Sequence, residues 1–237
     1  LFVGSLVWGA VITLFGWLPF FLRYELARAW AGSNIWLAKI FCGLDWVVEG
    51  HENLPREGAH ITMWKHTSAW EAMAQMVILP PSAWVYKREL LWIPLVGWAA
   101  RFMRGIAIDR GSGHRAVNQI LDQGRARLAA GMWVMIFPEG TRVAPGETRK
   151  YGLSGALLAS QTGVKIIPIA HNAGDFWPRR GLFKKPGLIR VVIGPPIETT
   201  GREPRELNAA VQRWMDKKMQ EISAAVPAKP GSLQASV

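Results

Sequence analysis

His60-Ile61-Thr62-Met63-Trp64-Lys65-His66-Thr67-Ser68-Ala69-Trp70-Glu71 is the stretch on which the reading of this chain turns. A short apolar run reaches Trp64, stops at Lys65-His66, and gives way at Ser68 to the start of a helix. A run this short and apolar suits a strand buried on both faces. Ser68 and Glu71 have capping-box spacing, in which the serine takes an N-terminal N–H and the glutamate reaches back to the N–H of the cap. Strand passing directly to helix is the repeating unit of an α/β sheet, and such sheets bind ligands beyond the carboxyl ends of their strands. His66 stands at such an end, which sets it above His51, His60, His114 and His171 as a candidate for chemistry.

The same alternation continues outward. Strands are predicted over 45–49, 60–64, 83–87, 105–109, 133–137, 165–170 and 188–193, and helices over 68–79, 113–130, 154–162 and 203–225. The pattern predicts an α/β fold with one mostly parallel sheet flanked by helices. Three further polar clusters fall at strand ends: Lys87-Arg88, Asp109-Arg110 and Glu139-Gly140-Thr141-Arg142. Residues far apart in sequence are thereby predicted to converge on one edge.

Each cluster has a plain reading and a functional one. Glu71 is a capping residue by its spacing, and the same position lets its carboxylate accept from one nitrogen of His66, leaving the other as a general base. The two roles are compatible. Gly140 permits a left-handed turn, and Thr141, Arg142 and the backbone N–H groups around it make an anion site, since the planar guanidinium can take two oxygens at once. Standing alone, that segment would be a solvated turn. Lys87-Arg88 would be the basic start of a surface helix, and Asp109-Arg110 a surface pair of little energetic consequence. No pair of cysteines and no His-x3-His spacing points to a metal. The single Cys42 cannot form an internal disulfide.

Composition narrows the partner. The 237 residues are half hydrophobic, with 28 basic against 17 acidic side chains, a formal charge of +11 and 13 tryptophans. The charge calls for an anionic partner, and abundant Trp favours lipid over nucleic acid, because its ring is apolar and its N–H seeks a polar neighbour at an interface. The basic-aromatic stretch 175–185 fits either anionic headgroups or a solvated loop. Leu1 to Leu22 carries no charge, and as one helix it would extend about 33 Å, enough to span a bilayer. It is predicted to be a membrane-associated helical segment. With Arg23, Arg28 and Lys39 following, the remainder is predicted to face the cytoplasm. A second apolar stretch, 35–44, is too short to span and suits an interfacial hairpin. Ala27-Arg28-Ala29 has the form of a signal cleavage site, but the apolar run is longer than a usual signal core, so an uncleaved segment is expected. The expected organisation is an anchor over 1–44, a catalytic domain over 45–226 and a disordered Pro/Gly/Ser-rich tail over 227–237.

Taken in order, the clusters resemble the glycerolipid acyltransferase family. His66 followed after four residues by Glu71 matches its His-x4-Asp block, with Glu for Asp. Gly105 to Arg110 resembles the second block, with Ile108 where an aromatic is common. Phe137 to Arg142 matches the third block in full, and Ile166-Ile167-Pro168-Ile169 resembles the fourth. Lys87 to Leu90 fits the Lys-x-Glu-Leu element. The resemblance covers about 45–197. It implies acyl transfer from acyl-CoA or acyl-carrier protein to the sn-2 hydroxyl of lysophosphatidic acid, with no cofactor beyond that thioester co-substrate. It further implies His66 as base with Glu71 orienting it, and Lys87, Arg110, Glu139, Gly140, Thr141 and Arg142 as the substrate-binding set. Another lysolipid acceptor, such as a lyso-ornithine lipid, would suit the same pair. A catalytically silent lipid-binding protein would not need the pair intact.

Overall fold

The structure, a computed structural model, describes residues 2–179 and 183–223. Seven strands form one sheet: β1 (Leu44–Glu49), β2 (Ile61–Trp64), β3 (Ser82–Lys87), β4 (Ile106–Ile108), β5 (Trp133–Ile136), β6 (Ile166–His171) and β7 (Gly187–Ile193), in the spatial order β1-β7-β6-β2-β5-β3-β4. Strands β2 to β6 are mutually parallel. β7 returns antiparallel to β6, and β1 lies parallel to β7, so the sheet is mixed. A parallel return needs a crossover of about a dozen residues, usually a helix. Among the described residues, the only helix between β6 and β7 is the four-residue α7 (Ala173–Phe176), too short for that purpose. An apolar strand buried on both faces carries no record of its direction, so this reversal is invisible in the hydropathy pattern.

Helices cover both faces. One layer holds α1 (Phe2–Leu14), α2 (Phe20–Cys42), α3 (Trp70–Ile78) and α4 (Val96–Phe102), packed around Trp64, Trp70, Met135 and Ile167. The other holds α5 (His114–Ala129), α6 (Ser154–Thr162) and α8 (Pro204–Ser223), packed on Ile61, Met63, Val134 and Ile166.

The N-terminal expectation needs correction. Among the described residues no helix is long and apolar enough to cross a membrane, which overturns both the spanning segment and the cytoplasm-facing membrane placement built on it. The uncharged run breaks after Leu14 and resumes as a new helix behind Pro19. Gly16 lies in the break, where an added Cβ would come within 2.7 Å of the Phe102 ring, so the turn is packed on α4. α1 has 13 residues, about 20 Å of helix. α2 has 23, but it carries Arg23, Glu25, Arg28 and Lys39 and buries Tyr24, Ala27, Ala31, Ile35 and Ala38 in the core shared with Trp70, Met73 and Ala74. Arg28 donates to the Met76 and Leu79 carbonyls at 2.9 and 3.4 Å, closing the end of α3. The opposite side of the pair exposes Trp17, Phe21, Trp36, Ile40 and Phe41. The expected tail over 227–237 lies outside the described residues.

These two faces of α2 differ in what they tolerate. Ala31→Leu should lower stability by about 1–3 kcal/mol through overpacking, whereas Trp36→Ser, at a position 59% exposed, should change it by less than about 0.5 kcal/mol. Denaturant melts of the two variants check this, and equal tolerance at both positions would mean that α2 is not part of the core.

Candidate active site

Because β2 to β6 are parallel, their carboxyl ends share one edge, and the predicted clusters fall along it. From β6 outward the order is His171, then Lys65-His66, then Phe137 to Arg142, then Lys87, then Asp109-Arg110. Strands are spaced by roughly 4.8 Å, so Lys87 lies about 10 Å and Arg110 about 14 Å along the edge from His66.

His66 is held on every side by its own neighbourhood. Its Nδ1 lies 2.8 Å from Glu71 Oε1. Its ring stacks on Phe137, with centroids 3.8 Å apart and planes 12° apart. Its N–H donates to Glu139 Oε2 at 2.7 Å, and its carbonyl accepts from the Val143 N–H at 2.8 Å. The side chain remains 13% exposed, so an edge of the ring faces the strand-end surface.

Glu71 realises both readings of the sequence with one oxygen. Oε1 accepts from the Thr67 and Ser68 N–H groups at 3.0 and 2.8 Å as well as meeting His66. Ser68 Oγ accepts from the Trp70 N–H at 3.1 Å, so the capping box closes two residues on rather than three. Glu71 is fully buried. Burial pushes its carboxyl above the usual range, opposed by the nearby His171 and by the Ser68 and Thr67 N–H groups.

Glu139 turns inward. Its Oε1 takes the ammonium of Lys65, its Oε2 takes the His66 N–H, and both charged side chains are buried. Burial raises the Glu139 carboxyl too, against the pull of Lys65. Gly140 holds φ at 68°, the left-handed turn anticipated for it, and its N–H donates to the Phe137 carbonyl at 3.0 Å. Thr141 and Arg142 are half-buried in the loop that returns to His66 through Val143, and Arg179 Nη1 donates to the Arg142 carbonyl at 3.1 Å.

The outer candidates are less tightly drawn in. Lys87 is half-exposed and paired with Glu89 at 2.8 Å. Arg110 opens a short 3-10 turn after β4, capped by Asp109 accepting from the Gly111 N–H; its side chain lies outside the described residues. The structure thus brings His66, Glu71 and Glu139 into direct contact and leaves Lys87 and Arg110 farther along the same edge. Among the described residues no group of three or more His, Cys, Asp or Glu could hold a metal. Two contributors were given no role in the sequence reading. Lys65 forms the buried pair that anchors Glu139, and His171 ends β6 with its Nε2 3.9 Å from Glu71 Oε2. Both end apolar strands, the signal that had marked His66.

Comparison with known proteins agrees with this picture. The family model described as Acyltransferase matches residues 45–172. A 1-acyl-sn-glycerol-3-phosphate acyltransferase of Pseudomonas aeruginosa is 40% identical over 224 residues, covering 92% of this chain and 87% of that protein. The mouse 1-acyl-sn-glycerol-3-phosphate acyltransferase alpha is 30% identical over 175 residues, covering 73% of this chain and 61% of its own length. The crystal structure of the 1-acyl-sn-glycerophosphate (LPA) acyltransferase PlsC from Thermotoga maritima superimposes with a TM-score of 0.77 over 94% of this chain and 91% of that one; at 23% identity this likeness speaks for the fold. The matched region takes in more than half of the chain and every strand-end cluster from Lys65 to His171, and the chain accordingly belongs to the acyltransferase family, as an enzyme that transfers acyl groups.

Proposed function

We propose that the enzyme moves a fatty acyl chain from acyl-CoA or acyl-carrier protein to the sn-2 hydroxyl of lysophosphatidic acid, giving phosphatidic acid. The observation that carries this is the His66–Glu71 pair, an imidazole nitrogen 2.8 Å from a fully buried carboxylate at a strand end. The acceptor's identity is supported by the 40% identical relative, whose name specifies that substrate.

With Nδ1–H donated to Glu71, the basic lone pair of His66 is on Nε2. Nε2 takes the proton of the acceptor hydroxyl as its oxygen attacks the thioester carbonyl. The tetrahedral intermediate collapses by breaking the C–S bond, and the departing thiolate recovers the proton from the imidazolium. Glu71 fixes the tautomer and offsets the transient positive charge; such base assistance is typically worth about 10²–10⁴ in rate. Phe137, stacked on the ring, limits its rotation. We assign Arg142, Lys87 and Arg110 to phosphate on the substrates, since a basic row one to three strands from the base suits an anionic group held away from the reacting hydroxyl. Glu139 holds the loop that Gly140 turns and Thr141 and Arg142 occupy. A pocket of about 360 Å³ beside Phe137 has an apolar wall of Val85, Ile108, Val117 and Ile120 that suits an acyl chain, with Glu139 and Arg149 also lining it.

Turnover per folded enzyme tests the pair. His66→Ala should abolish transfer to within background while the fold survives. Glu71→Gln keeps an acceptor for the Thr67 and Ser68 N–H groups, so it should melt near wild type yet lose about 10- to 10³-fold in turnover. Glu71→Asp should keep more activity than Glu71→Gln. Wild-type turnover in Glu71→Gln would leave that residue a cap only.

A separate measurement addresses the phosphate side. Arg142→Ala should raise the apparent KM for a phosphate-bearing acceptor about tenfold or more, with a smaller effect on the KM of the donor. The reverse order would move Arg142 to the donor.

A further inference from the structure

We infer that His171 is a positioning residue for the reaction, fixing Glu71 as a carboxylate from the side opposite His66. This rests on the reading of His66–Glu71 as the base and its partner, and it extends that pair into a row of imidazole, carboxylate and imidazole.

The geometry carries the argument. His171 ends β6, the strand beside β2, and is fully buried. The Ala173 N–H donates to its Nδ1 at 3.2 Å, so Nδ1 holds a lone pair. Its proton is therefore on Nε2, which donates to the Lys65 carbonyl at 2.7 Å. That N–H lies 3.9 Å from Glu71 Oε2. Among the described residues none donates a hydrogen bond to Oε2, although the oxygen is buried. A buried carboxylate oxygen with no donor is costly. The positive end of the Nε2–H dipole is the compensation on offer, and a small ring rotation would share the proton between Oε2 and the Lys65 carbonyl. His171 itself stays neutral, because burial pushes its imidazole below the usual range, against the pull of Glu71. Trp64 and Trp70, tilted against the ring with centroids 6.1 and 6.3 Å away, keep it in place.

Among the described residues, the other charged groups on the elements around Glu71 have partners of their own. His66 faces it from the loop after β2. Lys65 is taken by Glu139 from the β5 side. On α2, Arg28 sits at the far end of α3, on the Met76 and Leu79 carbonyls. His171 is thus the group placed to act on Oε2.

The sign of the pH effect follows. The working pair is neutral His66 with ionised Glu71, net charge −1, and it is lost when a proton is bound. Removing the dipole at Oε2 destabilises that charged form, so the pair binds its proton more tightly and the acid limb of kcat/KM moves to higher pH.

His171→Asn keeps an acceptor for the Ala173 N–H and removes the Nε2–H, whereas His171→Gln restores a donor near the Nε2 position. His171→Asn should lower turnover per folded enzyme about 10- to 10²-fold and raise the acid limb by about half to one pH unit. His171→Gln should recover most of both. In a Glu71→Gln background His171→Asn should cost little further turnover. An unmoved acid limb in His171→Asn, or an undiminished loss in the Glu71→Gln background, would overturn the inference and leave His171 a prop for the Lys65 carbonyl. Failure of the underlying pair would appear separately, as wild-type turnover in Glu71→Gln alone. If His171→Asn does not fold, carboxyl ¹³C shifts of Glu71 in the wild type and in His171→Gln decide: a Glu71 ionised at pH 7 in both supports the donor role, whereas a Glu71 protonated at pH 7 in either overturns it.

Discussion

One buried oxygen, Glu71 Oε1, receives the Thr67 and Ser68 N–H groups and lies against the His66 imidazole. Its two backbone bonds start α3, and its third contact aims a side chain at the strand-end surface. The beginning of a helix and the direction of a base are therefore one geometric fact. A charged acceptor makes each of these bonds stronger than its neutral counterpart, and burial in a core of Trp64, Trp70 and Met73 keeps water from competing. The cost is a carboxylate that desolvation would prefer protonated. The nearby His171 and the Ser68 and Thr67 N–H groups oppose that preference.

The second buried carboxylate solves the same problem differently. Glu139 faces the Lys65 ammonium directly, and its other oxygen takes the His66 N–H. With Val143 donating to the His66 carbonyl, the loop after β5 is tied to the loop after β2 through both main-chain groups of one residue. Removing either partner of such a pair strands the other charge, typically at about 3–5 kcal/mol. The pair adds little net stability for its burial. What it supplies is a fixed distance between the imidazole and the turn at Gly140.

Much of this was legible in the sequence, for reasons that can be named. All seven strands fall within a residue or two of where their apolar runs place them, and the mark is clearest in β2, β5 and β6, which are buried on both faces throughout. His66, Glu71 and the Phe137 to Arg142 loop stood out because chemistry at a strand end interrupts such a run. What sequence concealed is relational. The reversal of β7 depends on a connection too short for a crossover, and the inward turn of Glu139 depends on Lys65, 74 residues earlier. The N-terminal run looked uniform because hydropathy averages over Gly16 and Pro19, whose effect is to bend the chain onto α4. His171 was passed over because its neighbour in space, β2, is distant along the chain.

The reversal of β7 and β1 also sets the asymmetry of the molecule. Had these strands run with the others, the chain would enter the sheet from the edge opposite the chemistry. Instead β1 starts at Leu44 on the His66 side, so the carboxyl end of α2, with exposed Ile40 and Phe41, is delivered to the same rim. One change of strand direction thus sets exposed apolar side chains of α2 on the rim that holds the imidazole, beside the Lys39–Asp45 pair at the start of β1. A molecule with an apolar and a charged end finds both kinds of surface on that one rim.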